Sequence, residues 1–282
     1  MSGAMPFTIV LGNSKGGTGK STLAVALLQA GYRVGSMDLD VRQGSFSRYL
    51  ANRRAFGERQ SSSLALPRHV TLDMEAAAAQ DAASAHRAMR DGLEQVAGLD
   101  ILVLDTPGAD TELSRAGHAL ADVLVTPVND SLMDLDVLAE IDPARRRVTA
   151  PSHYTKRIWE ITNTRATAGQ APVDWILVRN RLSHSMALNA REIDRLLPKL
   201  AERIGFRVAQ GLRERVIYRE LFLDGLTVLD LSPTQLAASH SRGLARQEVF
   251  DLVADIGLSL PQAAAKQQSA RPRPLSSASP VA

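Results

Sequence analysis

The sequence predicts an α/β fold, a single domain built on a mostly parallel sheet with helices on both faces. Two observations predict it. Five short runs, at 7–11, 33–37, 101–104, 123–126 and 175–178, are nearly all apolar and rich in β-branched residues, as strands buried on both faces are. Helix-period segments at 19–30, 80–97, 110–121 and 132–141 alternate with them, which is the pattern of a parallel sheet with crossover helices. The chain has 282 residues, of which 45% are hydrophobic and 22% charged. It is long enough to bury a full core without staples.

Each element has its own signal. The run 7–11 is five residues long and ends in Gly12, which fits a strand and is too short for a signal peptide. No stretch reaches the roughly 18 apolar residues that a spanning helix needs, so a cytoplasmic protein without membrane contact is expected. Residues 143–172 are less periodic, carry Pro143, Pro151 and Pro172, and read as an excursion before the 175–178 strand. An amphipathic helix follows near 186–204, with Ile193, Leu196, Leu197, Leu200 and Ile204 on its buried side. Pro198 is expected to interrupt or kink it. Further helices are expected at 212–223 and at 240–258, the last burying Leu244, Phe250, Val253 and Ile256. Beyond Pro261 the chain turns to Ala, Gln, Ser, Pro and Arg without apolar periodicity. The domain is therefore placed at 1–262, with a disordered tail at 263–282.

Composition narrows the chemistry. There is no Cys, which excludes a disulfide framework, a thiolate zinc site, a cysteine nucleophile and a cysteine-ligated iron–sulfur cluster. The six histidines, at 69, 86, 118, 153, 184 and 240, form no H-x-x-x-H pair and sit near no nucleophile motif. Aromatic residues are only 4%, which disfavours base-stacking modes of nucleic-acid binding. The net charge of +3 conceals a split. Residues 1–150 hold 15 Lys and Arg against 18 Asp and Glu, whereas 151–282 hold 18 against 12. Within 179–219 the ratio is 10 to 4. Arg191, Arg195, Lys199 and Arg203 recur every fourth residue and form a stripe on one face of the 186–204 helix. Such a stripe can hold nucleic acid by its phosphates alone. Arg213, Arg215 and Arg219 form a second cluster, interspersed with Glu214 and Glu220.

The most specific feature is the run Gly12-Asn13-Ser14-Lys15-Gly16-Gly17-Thr18-Gly19-Lys20-Ser21-Thr22, between the first strand and the first helix. That is the strand–loop–helix context of a phosphate-binding loop. Glycines let backbone N–H groups turn inward onto phosphate oxygens, and the helix dipole adds to the field. Lys20 supplies a cation to the β- and γ-phosphates, and the Ser21 hydroxyl suits Mg²⁺. Ser14 stands where the strict G-x-x-x-x-G-K-[ST] pattern has its first glycine. The second strand runs into Asp38 and Asp40, two carboxylates at the sheet edge where ligands of parallel sheets bind. They are placed to hold Mg²⁺ or orient an attacking water. The third leads into Asp105-Thr106-Pro107-Gly108. Asp105 has the position of a carboxylate that holds the Mg²⁺ shell, and Gly108 can offer a backbone N–H to the γ-phosphate.

Lys15 inside the loop makes Lys-Gly-Gly-x-Gly-Lys-Ser-Thr, which resembles the deviant Walker A motif of the ParA/MinD P-loop ATPases. The resemblance implies that Lys15 reaches across a dimer to the partner's nucleotide, that Asp40 in a switch I segment is needed for hydrolysis, that Asp105–Gly108 act as switch II, and that Asn180 contacts adenine. Stretches outside the motifs, among them 126–131, 179–182, 205–207, 215–222 and 229–233, resemble the branch of that family that regulates the bacterial division site, over about 7–258. That branch implies ATP and Mg²⁺ as cofactors and a homodimer when ATP is bound. It also implies nonspecific DNA, a ParB-like partition protein and FtsZ as partners, and a nucleoid-associated location. The alternative is a ParA-type segregation ATPase with the same nucleotide chemistry. The chain departs from the family in a first helix about one turn short: 20 positions separate Lys20 from Asp40.

Overall fold

The computed structural model describes residues 5–12, 20–72, 81–129, 132–142, 147–182 and 187–258. Seven parallel strands form the central sheet: β1 (Phe7–Leu11), β2 (Val34–Asp38), β3 (Arg68–Thr71), β4 (Ile101–Asp105), β5 (Val123–Asn129), β8 (Asp174–Leu182) and β9 (Arg207–Arg213), in the order β3-β2-β4-β1-β5-β8-β9. A separate antiparallel hairpin joins β6 (Ala139–Asp142) to β7 (Arg147–Pro151). The helices are α1 (Lys20–Gln29), α2 (Ser45–Arg59), α3 (Ala82–Val96), α4 (Glu112–Ala119), α5 (His153–Thr167), α6 (Ala187–Ile204), α7 (Val216–Phe222), α8 (Pro233–Ala237) and α9 (His240–Asp255), with a 3₁₀ turn at Leu132–Val137. The side chains of Asp81, Thr111, Ser152 and Ser232 cap α3, α4, α5 and α8.

The period of two in a strand divides its apolar side chains between two cores. Ile9, Leu11, Ile101, Val103, Val123 and Val125 face one cluster, which α1, α2 and α9 complete through Leu23, Leu27, Phe46, Tyr49, Val249 and Val253. Val10, Leu102, Leu104, Leu124 and Leu177 face the other, filled by Met89 of α3, Leu113 of α4, Ile158 of α5 and Leu197 and Leu200 of α6. This is the expected two-faced α/β sheet. All five expected strands form, with ends shifted by a residue or extended.

Several expectations of secondary structure and burial are corrected. The segment 132–141 is a 3₁₀ turn followed by β6, because pairing with β7 takes up the backbone that a helix would use. The excursion at 143–172 contains β7 and the fifteen-residue α5. The expected 212–223 helix divides at its start: β9 runs to Arg213 and α7 begins at Val216. In α6 the helix runs on through Pro198, which is solvent-exposed. Water can therefore satisfy the carbonyl that the missing N–H leaves open. The five expected core residues of α6 are all buried. In α9 Val253 and the capping Ile256 are buried, but Leu244 is exposed and Phe250 only half-buried. Ala245, Val249 and Leu252 take the core positions. The tail at 263–282 lies outside the described residues. Among the described residues no helix is long and apolar enough to cross a membrane.

Candidate nucleotide site

Three strands end side by side at the carboxyl edge of the sheet. Asp38 of β2 is in register with Asp105 of β4, and Asp105 is in register with Leu11 of β1. Both carboxylates are buried, at 1% and 0% exposure, and adjacent strands lie only about 4.8 Å apart. The loops beyond the strands are tied to one another. Leu39 N–H donates to the Asp105 carbonyl (2.8 Å), while the Thr106 N–H and hydroxyl both donate to the Leu11 carbonyl (3.1 and 2.9 Å). The segment after β4 is thus pinned to the end of β1, where the phosphate-binding run departs.

On the β2 side, the Asp38 carboxylate organises the turn that carries Asp40. Asp38 Oδ1 accepts from Asp40 N–H (3.1 Å), and Oδ2 accepts from both the N–H and the hydroxyl of Ser47 (3.1 and 3.2 Å). The turn closes with Gly44 N–H donating to the Asp40 carbonyl at 2.7 Å, with Gly44 at a left-handed φ of 54° that glycine adopts without strain. Behind Ser47, the His69 ring is held 2.9 Å from Ser47 Oγ and 2.9 Å from Ser36 Oγ. Burial lowers the His69 pKa, against a smaller opposing pull from Asp38. The neutral ring has one donor and one acceptor. Since the Ser47 hydroxyl donates to Asp38, His69 Nε2–H donates to Ser47, and Nδ1 accepts from Ser36.

On the β5 side, Gly12 N–H continues the sheet by donating to the Val125 carbonyl (2.9 Å). Beneath it, Trp175 Nε1–H donates to Thr126 Oγ1 (2.9 Å), which lies 3.0 Å from the Tyr154 hydroxyl. That hydroxyl is 3.4 Å from His118 Nε2, and His118 Nδ1 is 2.7 Å from the Ser114 carbonyl. Indole is only a donor and a carbonyl only an acceptor, so every proton in this chain points from Trp175 towards Ser114. Burial pushes the His118 pKa down to about 4, which keeps the ring neutral.

The other expected site residues fall as follows. Lys15, Gly16, Gly17, Thr18 and Gly19 lie outside the described residues. Lys20 and Ser21 open α1, though their side chains lie outside the described set, and Thr22 is half-buried. Gly108 is exposed just beyond Asp105. Asn180 is buried on β8, in register with Asn129, two strands from β1 on the same carboxyl side.

The two basic clusters differ. Arg195, Lys199 and Arg203 are exposed on α6 and, among the described residues, make no ion pair, while the Arg191 side chain lies outside the described set. In the second cluster, Arg215 grips Glu248 with two bonds of 2.5 and 3.2 Å, Arg213 stands 4.0 Å from the same carboxylate, and Arg219 stands 3.9 Å from Glu214.

Sequence reasoning missed Ser47, His69, His118 and Tyr154. His69 and Tyr154 are remote in sequence from the motifs that they support, Ser47 and His118 follow theirs at no fixed spacing, and a lone Ser, His or Tyr carries no spacing signal. It also missed Arg53, buried on α2, which pairs through two bonds of 2.7 and 2.8 Å with Asp230 and donates to the carbonyls of Ala65 and Gly225. That pair fastens the helix after the Asp40 turn to the loop before α8.

Comparison with known proteins agrees with this architecture. The family model for ATPase MipZ matches residues 7–260. No curated protein matches the chain by sequence. Among solved structures, an ATP complex of McdA from Cyanothece superposes with a TM-score of 0.57 at 17% identity, covering 88% of this chain and 97% of that one. A putative plasmid partition protein from Borrelia burgdorferi, bound to AMPPNP, gives 0.54 at 12% identity, with 89% and 99% covered. The septum site-determining protein MinD from Pyrococcus horikoshii, complexed with Mg-ADP, gives 0.53 at 18%, with 89% and 96% covered. At these identities the likeness is one of fold.

Proposed function

This chain belongs to the MipZ family of ATPases, and from that premise we propose that it is an ATP-dependent dimerising switch that positions the bacterial division plane. The observation that supports this best is the pair of buried carboxylates, Asp38 and Asp105, at one register position beside the connection that bears Lys15 and Lys20. Asp38 has its donors in Asp40 and Ser47. Asp105, which closes the apolar strand β4, has the position of a carboxylate that holds a phosphate-bound Mg²⁺.

The donor set suits that ion. Among the described residues no group of three His, Cys, Asp or Glu could hold a metal by itself. Mg²⁺ is commonly bound through one or two carboxylates together with substrate phosphates. Asp105 and the Ser21 hydroxyl would hold it, and it supplies neutralisation of the β- and γ-phosphate charge. The backbone of Gly16–Thr22 and the Lys20 ammonium would bind the phosphates, Gly108 N–H the γ-phosphate, and Asn180 the adenine. Lys15 would act on the partner's nucleotide. Asp40, held at the mouth of the site by the Asp38-centred turn, would serve hydrolysis, which is slow and returns the monomer. The cations Arg191, Arg195, Lys199 and Arg203 of α6, doubled by a two-fold axis, would hold nonspecific DNA. A ParB-like protein and FtsZ complete the expected partners, in a cytoplasmic, nucleoid-associated setting.

Sedimentation of FtsZ polymer, with this protein present and with or without ATP, tests the reading. Less polymer in the pellet with ATP is expected. Equal polymer in both conditions would overturn it in favour of the segregation ATPase.

A further inference from the structure

Gly12 opens the phosphate-binding run, and the space beside it is already taken. A Cβ at position 12 would overlap the Tyr154 hydroxyl outright and stand 2.9 Å from His118 Nε2 and 3.1 Å from Leu124 Cδ1. The first two neighbours come from helices that have no sequence proximity to the loop. Tyr154 is in the first turn of α5, which follows the β6–β7 hairpin. His118 is in the last turn of α4, the helix that follows Asp105–Gly108.

The Tyr154 hydroxyl cannot easily move. Thr126 donates to it from β5 at 3.0 Å, and it donates to His118 at 3.4 Å. Its ring packs edge-on against His118 and Trp175, at centroid distances of 5.7 and 6.0 Å, and carries the Arg157 guanidinium over one face at 6.0 Å. Arg157 in turn pairs with Asp110 at 2.7 Å, as does Arg115 of α4 at 2.8 Å. α4 and α5 are therefore clamped together around the oxygen on which Gly12 rests.

We propose that Tyr154 is a positioning residue for nucleotide binding: its hydroxyl, fixed between Thr126 and His118, is the floor that sets the height of the backbone at Gly12, where the chain leaves β1 for the phosphate-binding loop. The loop's N–H groups must meet phosphate oxygens within a few tenths of an ångström to make good hydrogen bonds. A displaced first residue displaces all of them. The same hydroxyl touches α4, so the segment after Asp105 and the start of the phosphate loop share one support. The inference rests on the nucleotide reading above.

Four proteins test it: the wild-type chain, Tyr154→Phe, Gly12→Ala, and the double variant. The readouts are ATP affinity by calorimetry, steady-state KM and kcat, and apo melting temperature. Phe at 154 keeps the ring contacts and removes only the oxygen. Gly12→Ala is expected to weaken ATP binding by about tenfold or more, and the double variant to recover about tenfold over it, because contacting residues couple strongly. Tyr154→Phe alone is expected to raise KM a few-fold with kcat changed by less than about twofold, the signature of weakened ground-state positioning. A fold defect would instead reduce active protein and lower kcat. A double variant that binds no tighter than Gly12→Ala, or a Gly12→Ala variant that binds as the wild type does, overturns the proposal while the ATPase reading stands. A wild-type chain that binds no ATP overturns both.

Discussion

The two flanks of the phosphate-binding run are each underlain by a neutral histidine, half-buried His69 on one and buried His118 on the other, but they are built from different electrostatics. On the β2 flank the hydrogen bonds run from Ser36 through His69 and Ser47 and end on the Asp38 carboxylate. The helix behind is fastened by the Arg53–Asp230 ion pair. On the β5 flank the bonds run from Trp175 through Thr126, Tyr154 and His118 and end on a neutral carbonyl. The charged flank shapes a turn, holding Asp40 at the edge through the few bonds that Asp38 accepts. The neutral flank shapes a floor, whose partners are core strands and two clamped helices.

The sharpest way to break this contrast is to break the ion pair. Asp230→Ala leaves a buried guanidinium at 1% exposure without its partner, and a loss of about 3–5 kcal/mol is expected in urea unfolding. A loss below about 1 kcal/mol would mean that the charged flank is not anchored there.

The neutral flank is tested by acid. The pKa of His118 lies at about 4 in the folded chain, against about 6.5 unfolded. The unfolded state therefore takes up the proton first, and stability falls as pH drops from about 6.5 towards about 4. The expected loss over that window is about 3 kcal/mol. Other groups titrate there too, so the measure is the difference from His118→Gln. That variant's stability should fall less steeply across the window, and parallel curves would contradict a neutral buried ring.

A smaller effect is expected from Ser47→Ala. It removes one of the three donors to Asp38 and leaves His69 Nε2–H without its acceptor, at a cost of about 1–3 kcal/mol. Thermal unfolding checks it, and an unchanged midpoint would remove Ser47 from the network.

The contrast between paired and unpaired charge recurs on the surface, and here the effect is smallest. Lys199→Ala should lower the salt slope of DNA binding by about one unit for each phosphate that the lysine neutralises. Arg215→Ala, which removes a cation already held by Glu248, should leave that slope unchanged. Equal slopes for both would dissolve the distinction between the clusters.

Much of the fold was legible because the central strands are buried on both faces and so read as unbroken apolar runs. The strands that were missed are the ones that break this rule. In β3 only Val70 of four residues is buried, and in β9 only Ala209 and Leu212 are. Both are edge strands, and edges carry polar and charged residues. In the hairpin, β6 and β7 pair only with each other and not with the central sheet, a pairing that local propensity does not contain. The site divides in the same way. Asp38, Asp40, Asp105 and the loop lysines are legible because they follow strands at fixed spacing. Ser47, His69, His118 and Tyr154 are not, because their role exists only once β2 lies beside β3 and α4 beside α5.

The central claim is a dimer that forms on ATP and dissolves on hydrolysis. Size exclusion with light scattering tests it directly, on the wild-type chain, Lys15→Ala and Asp40→Ala, each with and without ATP. A dimer mass for Asp40→Ala with ATP that persists over time, a transient one for the wild type, and a monomer for Lys15→Ala in both conditions are the expected results. A Lys15→Ala chain that dimerises with ATP as the wild type does, or an Asp40→Ala chain that returns rapidly to monomer, would contradict the claim.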